Sequence, residues 1–335
     1  MTKFKYTFSL ALLVTTAVVG ASHAAAQITT FEIAGGKDVY PTTINIDGVV
    51  AGYYVDPGGN SRGFLRDAVG NITTFEAPGF SSGFVTTVWG VNIEGAVVGG
   101  GYVVGLAAKG FVRNADGSIE AIDVPGSGVV TAQSINDGGA VTGVWTDASY
   151  ITHGFLRSAA GAITIFDAPG ATSTRPRSIN NRGEIAGTCW IGSVQRAFLR
   201  DAKGHFTIFD LPNSLGAQSM SVNQRGAVVG FFNAGGSFRG FLRARTGEIV
   251  ELNVAPQSTF GTFPQTIRSN GTVAGYFFDT GNVARGFVRN QRGVVSTFDA
   301  PGASATFVNA ANDDGVVAGS YIDASTGSSR GFVRQ

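Results

Sequence analysis

One tetrapeptide constrains this chain more than any other feature. Gly/Ala-Phe-Leu/Val-Arg recurs with its Phe at Phe64, Phe111, Phe155, Phe198, Phe241, Phe287 and Phe332, at spacings of 47, 44, 43, 43, 46 and 45 residues. A fixed period of this length means one supersecondary unit repeated, each unit burying against its neighbours what it cannot bury alone. Seven units of about 44 residues fill the chain beyond its first 26 residues.

Every unit has the same four pieces. The fourth reads ITIFDAPGATSTRPRSINNRGEIAG as far as Gly187, then a variable loop, then RAFLRDAKGHFT. Runs of β-branched and aromatic residues separated by turn chemistry predict four strands per unit. They are named here A (TxxxSIN), B (xVVGYY), C (RGFLR) and D (ITTFD). No sustained helical period occurs after residue 26. Four-stranded units of this length stack radially, so the expected fold is all-β, a seven-bladed β-propeller. Parallel β-helices use shorter coils and fit less well.

Turn chemistry fixes the register. In Asp67-Ala68-Val69-Gly70-Asn71 a three-residue loop ends in Gly, the form that places a left-handed residue at a bulge. Pairing Asp67 with Asn71 sets Gly63 opposite Phe75 and Arg62 opposite Glu76. The same sum sets Lys109, His153, Arg196 and Arg285 opposite Asp123, Asp167, Asp210 and Asp299, with Arg239 opposite the neutral Asn253. Base therefore faces acid in most hairpins, which makes the repeated basic side chains ion-pair partners rather than an anion-binding ring. The Asn-x-x-Gly series, from Asn45/Gly48 to Asn312/Gly315 with Arg268/Gly271 the one departure, reads as A to B turn grammar.

The two ends complete this pattern. Lys3 and Lys5, an apolar run from Phe8 to Val19 and Ala24-Ala25-Ala26 form a secretory signal peptide over residues 1–26. That leaves residues 27–335 as one exported domain, periplasmic or extracellular, with no integral membrane segment. The last unit then has strands A, B and C but no D, whereas ITTFEIAG after the signal is a D strand with no unit before it. Extending the hairpin register puts Arg330 opposite Glu32 and Gly331 opposite Phe31, so the N-terminal strand is expected to complete the C-terminal blade and close the ring.

Composition excludes several functions. A net charge of +1 with 14% charged residues gives no electrostatic reason to bind nucleic acid. Cys189 is the only cysteine, so stability rests on burial and hydrogen bonding without an intramolecular disulfide. No cofactor is implied, and a monomer is expected. Beyond the signal, the only histidines are His153, in the basic slot of the repeat, and His205, in a turn, so no metal-ligand spacing appears. Cys189 reads as a buried apolar thiol.

The candidates lie where the repeat is least regular, on the rim shared by the B to C loops and the D to A connections. Asp56, Asp147, Asp279 and Asp323 each follow the strand B glycine by four residues. Strand B aromatics such as Tyr53, Tyr54, Tyr102, Trp145, Phe231 and Tyr276 accompany them, and Tyr150 and Trp190 fall outside the repeating pattern. Aromatics with a few acids on such a rim suit a sugar, a peptide or a calcium ion. Equally, strand B aromatics fill the space between blades and the aspartates start turns.

GFLR-x(3)-G-x(2)-TTFDAPGA-x(n)-SIN-x(2)-G-x-VVG-x-Y resembles the HAF-type extracellular repeats of exported bacterial proteins, with His153-Gly154-Phe155 and Arg196-Ala197-Phe198 nearest the His-Ala-Phe tripeptide. The resemblance implies an exported repeat protein and supplies no catalytic residues. The expected function is therefore a non-catalytic propeller binding a protein or glycan partner on its loop rim. The alternative is a propeller lactonase, hydrolase or lyase with a metal at the channel mouth.

Overall fold

The computed structural model describes residues 26–77, 84–103 and 108–335, so the predicted signal peptide lies outside the described residues but for Ala26. They form strands and no helix. Five sheets have four strands, and one eight-stranded sheet contains the first two units, joined by a single parallel bridge between Ser61 and Val85. Within each unit the strands pair antiparallel in the order A, B, C, D. No described helix is long and apolar enough to cross a membrane.

The predicted C–D register is observed throughout. Gly63 faces Phe75, Gly154 faces Phe166, Ala197 faces Phe209 and Gly286 faces Phe298. The N-terminal strand Ile28–Phe31 pairs antiparallel with Ser329–Arg334, Phe31 facing Gly331, and Arg330 makes an ion pair with Glu32. Arg62–Glu76 and Arg285–Asp299 pair likewise, as does Arg196–Asp210 at 2.8 Å, and His153 Nδ1 is hydrogen-bonded to Asp167 at 2.8 Å. Arg239 departs from expectation by turning to Glu251, at 3.0 Å, two residues before the neutral Asn253.

The repeated phenylalanine is the core. Each lies buried on strand C directly opposite the strand B glycine: Phe64 on Gly52, Phe155 on Gly143, Phe198 on Gly187 and Phe332 on Gly319. A Cβ built on Gly187 would lie 2.6 Å from the Phe198 ring, and the strand A backbone crowds its other side. Glycine is thus required there for steric room on both sides.

Two repeated side chains join one unit to the next. The arginine ending strand C places its guanidinium over the strand D phenylalanine of the preceding unit, Arg113 over Phe75 at 5.0 Å and Arg200 over Phe166 at 4.7 Å. Arg66 lies over Phe31 in the same way, at 5.2 Å. Where strand D carries Ile122 instead, Arg157 bonds Glu120 at 2.7 Å. The turn asparagines do more than shape turns. Asn223 Oδ1 accepts from its own turn at Ala227 N, while its Nδ2 donates to the Arg268 carbonyl of the next unit at 2.8 Å. Asn45, Asn136 and Asn180 reach forward likewise, Arg268 substitutes its guanidinium, and Asn312 donates to Asn45 of the first unit at 3.0 Å.

Gly187→Ala should destabilise the protein by about 2 kcal/mol or more, because a packed core accepts no extra methyl without backbone movement. Urea unfolding followed by tryptophan fluorescence measures this.

Candidate functional site

The rim candidates are separate turn residues. Asp56 Oδ1 accepts the Asn60 amide at 2.9 Å and Oδ2 bonds Arg62 Nε at 2.9 Å. These bonds hold its carboxyl down to about 2. Asp147 accepts the Ser149 and Ile151 amides, and Asp279 those of Gly281 and Val283 together with Arg285 Nε at 2.6 Å. Asp323 accepts the Ser325 and Thr326 amides. Each holds its own loop, in a different unit, and the described residues contain no group of three or more Asp, Glu, His or Cys able to hold a metal ion.

The rim aromatics divide by position. Tyr150 is 88% exposed with φ 62°, at the left-handed turn position where Gly59 and Asn282 stand in equivalent loops. Trp145 stacks on His153 at 4.6 Å, and Trp190 lies under the Arg175 guanidinium at 5.0 Å. Tyr54, Phe232, Phe277 and Tyr321 are buried in the cores between sheets. The side chain of Tyr102 lies outside those described. Cys189 is fully buried, and burial pushes its thiol up to about 11, away from reactivity.

Convergence occurs instead at the inner strands. In every strand A the pairing with strand B skips a residue at the same place, Thr42, Trp89, Gln133, Arg177, Met220, Gln265 and Asn309 in turn, and the last strand A skips Ser304 as well. A bulge re-aims the side chain it frees. All seven line one central cavity of about 470 Å³, a volume suited to a small-molecule ligand. The bulge lies opposite the point where the strand B glycine admits strand A and the core phenylalanine together, so the same close contact that packs each sheet exposes one side chain to the cavity.

The cavity has two unlike halves. On one side stand Tyr40, Tyr53, Trp89, Tyr276 and Phe307. Tyr40 stacks on Tyr53 at 5.1 Å, Tyr53 meets Trp89 edge-on at 6.4 Å, and Tyr276 meets Phe307 edge-on at 5.3 Å. Burial raises the pKa of Tyr53 and Tyr276, and burial with the nearby Asp38 raises that of Tyr40, so all three stay protonated as O–H donors. On the other side is Arg177, the one charged side chain in the lining among the described residues. It reaches Gln133 Oε1 at 3.5 Å and Met220 Sδ at 3.7 Å, with no carboxylate partner among the described residues. Burial, then the charge of Arg175, lowers its pKa. The chemistry on offer is aromatic contact, hydroxyl donation and one uncompensated cation. With a guanidinium present and no carboxylate, imidazole or thiolate among the described lining residues, the cavity is a poor site for a divalent metal.

Sequence reasoning missed these residues. Their signal was the third variable position of the TxxxSIN motif, set apart from the other two only once the bulge showed which way it points.

No protein-family model matches the chain, and no curated protein matches it. Among solved structures it is similar to a streptogramin B lyase, with 16% identity and a TM-score of 0.62 over 92% of this chain and 98% of that one. It is similar to virginiamycin B lyase from Staphylococcus aureus, with 14% identity and a TM-score of 0.64 over 93% and 100%. The β-propeller domain of the Trilobed protease from Pyrococcus furiosus matches with 11% identity and a TM-score of 0.62 over 90% and 94%. These likenesses establish a β-propeller-like fold. They also correct the expectation of a non-catalytic rim binder: two of these three propellers are lyases, and the side chains that break the repeat meet in the central cavity, away from the rim.

Proposed function

We propose that this protein is an exported propeller enzyme of the lyase or hydrolase type, acting on a small molecule held in the central cavity. The observation that carries this reading is the set of seven bulges presenting seven side chains, one of them an unpaired arginine, to one cavity. In hydrolysis of an ester or lactone, water adds to the carbonyl carbon to give a tetrahedral oxyanion, and on its collapse the C–O bond breaks with its pair on the leaving oxygen, which takes up the proton that the water gives up. A tyrosine hydroxyl of the aromatic wall would donate to that oxyanion, while Arg177 on the opposite wall would hold the substrate in place. The kinship in fold with the two lyases supports the assignment. A catalytically inactive histidine-to-alanine variant of the S. aureus enzyme is known with quinupristin. Among the described residues no histidine lines the cavity of the present chain, and Arg177 and the tyrosines are the groups assigned to the chemistry here.

The scaffold of this site is read as a closed ring of seven blades. The eight-stranded sheet counts as two blades because one bridge joins them. Pairing of Ile28–Phe31 with the last strand and the Asn312 to Asn45 bond support closure.

Assay of the purified protein against quinupristin, lactones and aromatic esters tests the enzyme reading. Turnover of at least one is expected, with kcat/KM falling about 100-fold in Arg177→Gln at unchanged melting temperature. No turnover, or an unimpaired variant, would overturn it. Closure predicts that deleting Ile28 to Ala34 lowers the stability of the whole domain, and a truncation that melts like the parent would refute it.

A further inference from the structure

Two repeated sets of basic side chains are accounted for by the scaffold: those at the start of strand C by acids, and the strand C arginines Arg66, Arg113, Arg200, Arg243 and Arg334 by the phenylalanine rings they cover. Arg62, Lys109, His153, Arg196, Arg239, Arg285 and Arg330 each meet an acid on strand D or just beside it, and Arg182 and Arg245 share Glu184. Arg175 and Arg177 belong to neither set, and they meet at one cavity. They flank Pro176 on the strand Ser173–Ile179, and neither has a carboxylate within ion-pair distance among the described residues. Both line a side cavity of about 270 Å³ between the third and fourth units, with Thr146, Thr152 and Gln133 completing its polar wall. Arg177 and Gln133 also line the central cavity, so the two spaces share a wall. Trp190 holds Arg175 from behind by its ring face, which leaves the guanidinium edge free to donate.

Two neighbouring guanidiniums without a counter-ion repel each other, and burial of one adds to that cost. An oxyanion placed between them relieves both terms through charge-assisted hydrogen bonds. The opposite wall of the central cavity, with Tyr53 and Trp89, suits a flat apolar group.

We infer that the substrate is a small amphipathic anion, its carboxylate or phosphate seated between Arg175 and Arg177 and its aromatic end against Tyr53 and Trp89. This rests on the reading of the central cavity as the substrate site. Trp190 is a positioning residue in this scheme.

Titration of the full chain with 3-phenylpropionate, its neutral analogue 3-phenylpropanol, phenyl phosphate and inorganic phosphate, followed by tryptophan fluorescence, tests the inference. The acid should bind saturably and at least about tenfold more tightly than the alcohol, the size of effect expected for bonds to a charged group. Arg175→Gln and Arg177→Gln should each remove most of that preference without weakening the alcohol, and Arg177→Lys should restore part of it. Tighter binding of phenyl phosphate than of the acid, with competition by inorganic phosphate, would identify the phosphate form. Equal binding of acid and alcohol, or acid affinity untouched in both glutamine variants, would overturn the inference. If an ester or lactone is turned over while the acid neither binds nor inhibits, the anion inference falls and the enzyme reading stands. If the acid binds with the predicted arginine dependence while no compound is turned over, the anion site stands and the enzyme reading falls.

Discussion

The strand C phenylalanine lying on the strand B glycine is the contact on which the rest of this structure depends. It buries the repeated phenylalanine of each unit, and it does so because glycine leaves room for a ring on one side and the strand A backbone on the other. Where strand A comes this close its pairing slips by one residue, and the freed side chain turns inward. Packing and site are therefore produced by one steric requirement, met seven times.

That requirement explains how a repetitive chain acquires a specific surface. The glycine, phenylalanine and turn asparagine are fixed by neighbours within the unit or in the next one. The bulged residue is not, and it differs from unit to unit as Thr42, Trp89, Gln133, Arg177, Met220, Gln265 and Asn309, with only glutamine used twice. Seven such positions give one cavity that is aromatic on one side and cationic on the other without disturbing the scaffold. Acidic rim residues do not share this freedom, since each already holds its own loop.

Much of the scaffold was legible in the sequence, because period-2 strand patterns and loop grammar are local. Pairing Asp67 with Asn71 was enough to place Phe31 opposite Gly331 and Arg330 beside Glu32 across the length of the chain. The turn asparagines were only half legible: Asn223 shapes its own turn as expected, but its reach to the carbonyl of Arg268 depends on how units stack. The site was not legible. Tyr53 and Tyr276 were placed on the rim because alternation assigns a strand residue to a face but not to a depth along the axis. Arg177 was passed over because a bulge, unlike a hairpin loop, leaves no glycine or proline signature at the freed position.

If the inward-facing bulges form the binding site, a ligand must sit among them. A crystal structure with 3-(4-bromophenyl)propionate locates both ends of such a ligand, the bromine by its anomalous signal and the carboxylate by density. The bromine is predicted beside Tyr53 and Trp89 and the carboxylate between Arg175 and Arg177. A ligand on the outer rim, at Trp145 and Tyr150, with the central cavity empty, would contradict this placement.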